Sequence, residues 1–250
     1  MPTSDWDGVG YARISGLQRA MATASLESLV VAGTERVLDV GCGDGQVTRL
    51  LASRLPAGSV LGVDPSPRMI AAAASGRNVT FQVGDVTTMT FAREFDLVVS
   101  FNALHWVADQ RTAYRRIAAA LRPDGRAVVQ YVCRGSRPSV EQVAMEVTRD
   151  RRWAAAFADF APPFVHIEPD DLAAISRMRV TEQSVVDREW DFGSREEFAK
   201  WCTVGFSAWT SRLSTEDVRA FVDDVVKRYE AVVGRPGVLR FLQLRAELAP

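Results

Sequence analysis

Apolar positions along the chain alternate between two rhythms, one helical and one extended. Residues 10–31 are apolar at helical spacing, with Ile14, Leu17 and Met21 on one stripe. Residues 36–40 are a short, largely apolar run that empties into a glycine-rich turn. Val47, Leu50, Leu51 and Leu55 then resume the helical spacing. A second strand is predicted at 59–63, ending at Asp64, and Ser66 reads as the N-cap of a helix reaching Ala74. Residues 79–83 are a third strand, closed by Gly84 and Asp85. Residues 95–101 are a near-continuous apolar run, as expected of a strand buried on both faces. Asp109 then caps a helix with Ala113, Ile117 and Leu121 on its inner face, stopped at 122–125, and a fifth strand covers 126–133. Strands alternating with helices in this way predict a parallel sheet with right-handed crossovers.

Beyond Arg134 the alternation stops. Residues 141–160 read as an aromatic-rich helix ending at Pro162-Pro163, and 170–175 as a short helix. Residues 180–192 read as a strand with partial alternation, and 194–209 and 214–233 as helices. The second of these starts on a capping-box-like Ser214 and Asp217. Residues 238–244 form a closing strand. With no internal repeat or low-complexity linker, the expectation is a single domain over 1–250. Residues 1–134 would be its ligand-binding half, and 135–250 a helical cap with sheet-completing strands.

Composition narrows the classes. The 250 residues are 47% hydrophobic with a net charge of −1, ample for a core and without a basic block, so no nucleic-acid partner is expected. Lys200 and Lys227 are the only lysines among many arginines, which suggests a high-GC, bacterial source. Cys42, Cys133 and Cys202 are too scattered for a disulfide framework. With His105 and His166 as the only histidines, a His-rich metal site is excluded and no metal is expected. Residues 3–7 are polar and acidic, unlike a signal peptide, and no apolar run reaches membrane-spanning length. The expectation is a soluble cytoplasmic enzyme without a membrane partner, either monomer or homodimer.

The turn after the first strand carries the most specific chemistry. Gly41, Gly43 and Gly45 run G-x-G-x-G rather than the G-x-G-x-x-G that seats a pyrophosphate on a helix N-terminus. Asp39 lies inside the strand two positions before the first glycine, and an acid there suits a cationic ligand better than a pyrophosphate. This block resembles the first motif of class I S-adenosylmethionine-dependent methyltransferases. The resemblance runs from about Val37 to Gly125. It implies a Rossmann-like α/β fold with a mostly parallel seven-stranded sheet, helices on both faces, and S-adenosylmethionine as cofactor, released as S-adenosylhomocysteine.

In open parallel sheets, ligands sit beyond the carboxyl ends of the strands. Asp64 ends the second strand about 20 residues after the glycine turn, placed to accept both ribose hydroxyls. Asp85 ends the third and can accept from an adenine amino group, while Val86 offers a backbone amide to the ring. Pro65, Ser66 and Met69 fit the adenine wall.

The fourth strand runs into Asn102, His105 and Trp106, on a loop that would lie where the sulfonium methyl points. A closer resemblance appears in Tyr11 to Gln18 together with Leu104-His105-Trp106-Val107, Asp109 and Gln110. These look like the juvenile hormone acid methyltransferases, relatives of which esterify fatty acids. Trans-aconitate methyltransferases share the fourth-strand region more loosely. The resemblance places Gln18 and Trp106 on the substrate carboxylate, and Tyr11 and Asn102 at the cofactor. Ser15 and Asp124 depart from that family's usual Asn and Gly, and the region beyond Arg134 matches poorly. The expected substrate is a small lipophilic acid, already ionised at neutral pH and needing no general base. A hydroxyl acceptor would require a base, for which His105 is the candidate. Arg134 and Arg137, near the fifth strand's end, could recognise a second carboxylate, as a tricarboxylate such as aconitate would require.

Overall fold

The computed structural model describes residues 16–250. Its strands are β1 (Arg36–Val40), β2 (Ser59–Asp64), β3 (Val79–Val83), β4 (Phe95–Phe101), β5 (Leu121–Val132), β6 (Arg179–Asp191) and β7 (Val238–Ala249). They form one seven-stranded sheet in the order β3-β2-β1-β4-β5-β7-β6. The first five are parallel, and β7 runs antiparallel to both β5 and β6. The chain steps outward from β1 to β3 and then returns to place β4 on the other side of β1. The loops leaving β1 and β4 therefore diverge and open a crevice at the carboxyl edge of the sheet.

The apolar runs are continuous because both sheet faces are covered. Val37, Val60, Leu97, Val99 and Val128 meet Leu26 and Leu29, and Leu51 and Leu55, in one cluster. These covering residues belong to or directly follow α1 (Gly16–Glu27) and α2 (Gln46–Ser53). Leu38, Val98 and Val129 point to the opposite face, where they meet Tyr114 and Ile117 of α4 (Gln110–Ala120) and Leu172 of α6 (Leu172–Ser176). Successive residues of one strand thus feed different layers, as the pleat requires. Between them in sequence lie α3 (Pro67–Ala72), which follows β2, and α5 (Val140–Val147), which follows β5.

The cap is a third cluster, built from α5, α7 (Arg195–Gly205), α8 (Ser207–Thr210) and α9 (Thr215–Val233). Trp153, Phe198, Trp209, Phe221 and Tyr229 form its interior, with Leu17 of α1 and Phe241 of β7 at its margin. No helix among the described residues is long and apolar enough to cross a membrane.

Several boundaries differ from the sequence expectation. The helix expected over 141–160 ends at Val147, and the chain continues in turns. There Trp153 is drawn inward against Phe221 at 5.4 Å and donates its indole N–H to Asp224 at 2.9 Å. That packing outweighs helical propensity. The helix start is fixed by a full capping box between Ser139 and Gln142. Leu121 opens β5 rather than closing α4, because it pairs with Phe95 across the sheet. The helix expected at 194–209 is broken at Phe206 into α7 and α8. The strand expected at 180–192 is an edge strand exposed on both faces along nearly its whole length, which explains its weak alternation.

Candidate active site

The turn after β1 is held from two sides. The N–H groups of Gly41 and Cys42 both donate to the Val63 carbonyl of β2, at 2.8 and 3.1 Å. Gly41 has φ +77, and a Cβ there would lie 2.1 Å from that of Ala103. Its bareness lets the β1 and β4 loops touch. Gly43 has φ +56, and a Cβ there would meet nothing within 4 Å. The open side of the turn is therefore at Gly43, where backbone faces the crevice. Gly41 is thus cleared for protein, and Gly43 borders open space.

Asp39 sits beneath this turn, buried, accepting a hydrogen bond from Thr48 Oγ1 at 2.7 Å. Burial, with Asp64 adding repulsion, pushes its carboxyl up to about 7 despite that bond. Asp64 spans two loops. Its Oδ2 accepts from the Gly43 N–H at 3.0 Å and its Oδ1 from the Ser66 N–H at 2.9 Å. Each oxygen keeps a further lone pair for a ligand hydroxyl. Burial raises its carboxyl as well. Ser66 caps α3 by accepting from the Met69 N–H at 3.3 Å; Met69 is buried and Pro65 exposed. Asp85 is exposed beyond β3, its Oδ1 tied to the N–H and Oγ1 of Thr87 at 2.7 Å each. Val86, next to it, is buried.

β4 supplies the other wall. Ser100 Oγ donates to the Val40 carbonyl at 2.9 Å, locking the carboxyl ends of β1 and β4 together. Asn102 takes a left-handed φ of 58, anchored by its N–H to the Gln130 carbonyl at 2.7 Å. Its Oδ1 is buried without a hydrogen-bond partner, an acceptor waiting for a donor beside the glycine turn. Orphan acceptor, acid pair and open backbone together fit a ligand bearing an ammonium, a ribose and an adenine. Among the described residues no group of three or more His, Cys, Asp or Glu is placed to hold a metal ion.

His105 and Trp106 lie on a 3-10 turn, Leu104–Trp106. Gln110 fixes that turn: it is buried, and its Nε2 donates to the carbonyls of Leu104 and Val107. A strap from the cap closes over it, with the Val165 N–H donating to the His105 carbonyl at 2.7 Å. His105 is buried, its Nδ1 unpartnered, with His166 6.0 Å away ring to ring. Burial and then that neighbour hold the His105 imidazole well below the usual histidine range. Burial lowers His166 too.

A pocket opens beside this turn. Asn102, His105 and Trp106 line it from the β4 side, Leu17 and Met21 from α1, and Val132, Leu239 and Phe241 from the sheet. Trp201, Gly205 and Phe206 close it from α7 and the residue after it, and Val140 and Glu141 from α5. Among the described cap aromatics, Trp201 and Phe206 reach the pocket, while most of the others belong to the cap core. Arg134 and Arg137 do not line it, and each has a partner elsewhere. Arg134 approaches Glu168 at 3.8 Å, and Arg137 pairs with Asp187. Tyr11 lies outside the described residues, and so does the side chain of Gln18, whose backbone belongs to α1.

The model of a methyltransferase domain matches residues 37–125, which span β1 through the turn into β5. Structural neighbours have the same architecture. The YcgJ protein of Bacillus subtilis superposes with a TM-score of 0.62 at 17% identity, over 92% of this chain and 98% of that one. Phosphoethanolamine N-methyltransferase 2 of Haemonchus contortus, solved with S-adenosyl-L-methionine, superposes at 0.61 and 17% identity, over 97% and 56%.

Residues 37–125 thus match a methyltransferase domain, and the fold is that of class I S-adenosylmethionine-dependent methyltransferases.

S-adenosylmethionine is accordingly the cofactor. Among sequence relatives, the trans-aconitate 2-methyltransferase of Methylobacterium nodulans is 33% identical over 62% of this chain and 62% of its own length. That of Escherichia coli strain K12 / DH10B is 32% identical over 51% of each. The chain thus spans only half to three-fifths of these relatives. Thr48, Ser100 and Gln110 escaped sequence reasoning because each works through one buried hydrogen bond or a pair of them. Gln110 stood in the quoted Leu104–Gln110 motif without a role.

Proposed function

We propose that this methyltransferase esterifies a lipophilic carboxylic acid, giving a methyl ester and S-adenosylhomocysteine. The observation that carries the reading is an acceptor pocket walled by apolar and aromatic side chains, beside a histidine that burial keeps neutral and weakly basic. An acceptor that arrives ionised needs positioning rather than a base. When bound, S-adenosylmethionine supplies an electrophilic methyl group. Asp64 and Asp85 would hold its ribose and adenine, and Asn102 Oδ1 would accept from its ammonium. Gln18 and Trp106 would orient the carboxylate through neutral donors, avoiding the tight ground-state grip of an arginine. Excluding water from this pocket favours the neutralisation of carboxylate by sulfonium.

A tricarboxylate acceptor, as the relatives' names would imply, is disfavoured because Arg134 and Arg137 are engaged away from the pocket. A hydroxyl acceptor with His105 as base is the second reading, supported by the unpartnered His105 Nδ1 and weakened by its lowered basicity. The test is transfer from methyl-labelled S-adenosylmethionine to lipophilic acids, tricarboxylic acids, phenols and sugars, followed by mild base. Label released as methanol supports the ester. Label that survives base on a phenol or sugar refutes it.

A further inference from the structure

Among the described residues, Glu141 is the one acidic side chain lining the acceptor pocket, and it is only 7% exposed. It stands in the first turn of α5, where an acid commonly complements the helix dipole. That role does not require burial: in α7 the first-turn acids Glu196 and Glu197 have side chains 79% and 56% exposed. The capping box between Ser139 and Gln142 already serves the α5 terminus without it. Among the described residues, no hydrogen bond or ion pair holds the Glu141 carboxyl.

Among the described residues, the nearby cations are engaged elsewhere, Arg134 with Glu168 at 3.8 Å. The Tyr229 hydroxyl donates to the Arg240 carbonyl at 2.6 Å and accepts from the Arg240 N–H at 3.1 Å. Arg137 is spent on Asp187. His166, on which Glu141 acts electrostatically, is itself buried without a partner for either ring nitrogen. The remaining lining is apolar or offers indole, amide and imidazole groups. A buried carboxyl with spare acceptor capacity in a substrate pocket is costly unless the ligand brings a donor to it.

We propose that Glu141 receives a hydrogen-bond donor, a hydroxyl or an ammonium, carried on the body of the acceptor. The substrate is then a functionalised lipophilic acid, not a plain hydrocarbon one. The acid part rests on the carboxylate reading above; the donor part rests on Glu141 alone.

The experiment measures binding of chain-matched acids to the S-adenosylhomocysteine-loaded protein by calorimetry. The panel contains plain, hydroxylated and aminated acids, with the donor at several positions, and the corresponding hydroxylated molecules lacking the carboxyl. Wild-type protein should bind the best donor-bearing acid at least tenfold tighter than its plain counterpart. Glu141→Leu should bring the two within twofold, chiefly by weakening the donor-bearing acid. Glu141→Gln, which keeps the shape, should retain preference for hydroxyl and lose preference for ammonium. Unchanged S-adenosylhomocysteine affinity in both variants reports that the fold is intact; if Glu141→Leu does not fold, Glu141→Gln and the ammonium arm decide. Equal wild-type affinity for plain and donor-bearing acids overturns the inference, as does a preference that survives in both variants. Equal binding of the molecules lacking the carboxyl, with base-stable label on their hydroxyl, would instead remove the carboxylate reading while leaving Glu141 as the donor's partner.

Discussion

Asp39→Asn is the substitution whose consequence follows most directly from the site's electrostatics. The Asp39 carboxyl is buried beneath the glycine turn and pushed from 3.8 up to about 7, with burial as the first cause. The folded state therefore binds this proton more tightly than the unfolded chain does. The associated stability is fully present below about pH 4 and is lost progressively as the pH rises towards 7. Three units at about 1.36 kcal/mol each give a loss of up to about 4 kcal/mol across that window. Asn has no charge to lose, and its side-chain oxygen can still accept from Thr48. Any fixed cost of the amide is independent of pH and cancels from the comparison. For a chain this long, about 4 kcal/mol corresponds to roughly 10 °C in melting temperature. The assay is thermal unfolding of wild type and Asp39→Asn without cofactor, every half unit from pH 4 to 8. The difference in Tm should move in favour of the variant through the window and become flat above about pH 7. Parallel curves would refute the reasoning, since they would mean Asp39 titrates alike in both states.

Other substitutions separate the parts of the site. Gly41→Ala should destabilise the fold by about 3 kcal/mol or more, because the added methyl overlaps Ala103; thermal melting reads this. Gly43→Ala should cost only about 1–2 kcal/mol of left-handed strain and yet, if the proposed cofactor site is right, weaken S-adenosylhomocysteine binding at least tenfold by calorimetry. Gln110→Ala strips two carbonyls of their donor and should cost about 2 kcal/mol. Its kcat should fall more than its cofactor affinity, because the His105–Trp106 turn loses its anchor. His105→Ala should leave kcat on a lipophilic acid within tenfold of wild type; a loss beyond a thousandfold would favour the base-dependent hydroxyl reading.

The parallel half of the sheet was legible because its pattern is local. Asp39, the glycine turn, Asp64 and Asp85 each sit at the end of a strand whose apolar run marks it. Parallel winding then brings those ends to one edge without further information. Their offsets survive folding because backbone, not side-chain packing, sets them: Val40 pairs with Val63, and Asp64 with Val83. The cap was less legible for the opposite reason. Trp153, Phe198, Trp209 and Phe221 are all apolar at helical spacing, and periodicity alone does not distinguish an eight-residue helix followed by packed turns from a longer helix. The break at Phe206 and the inward turn of Trp153 are settled by contacts between segments far apart in sequence.

The acceptor pocket carries that difference to its limit. Leu17, Trp106, Glu141, Trp201 and Phe241 converge on it from five elements spread along most of the chain, and no motif links them. What can be read there is chemical contrast. On the glycine-turn side, Asp64 keeps spare acceptor capacity and the Asn102 amide oxygen is buried without a partner. On the acceptor side, one buried carboxyl stands in an apolar wall beside two neutral histidines. An acceptor that only filled the apolar space would leave Glu141 desolvated and unpaired, whereas one bringing a donor would both satisfy it and fix the ligand's register along the pocket. Specificity for the acceptor would then be set by a residue outside the matched span 37–125. Proteins sharing the same cofactor half could therefore differ in substrate by changes confined to the cap.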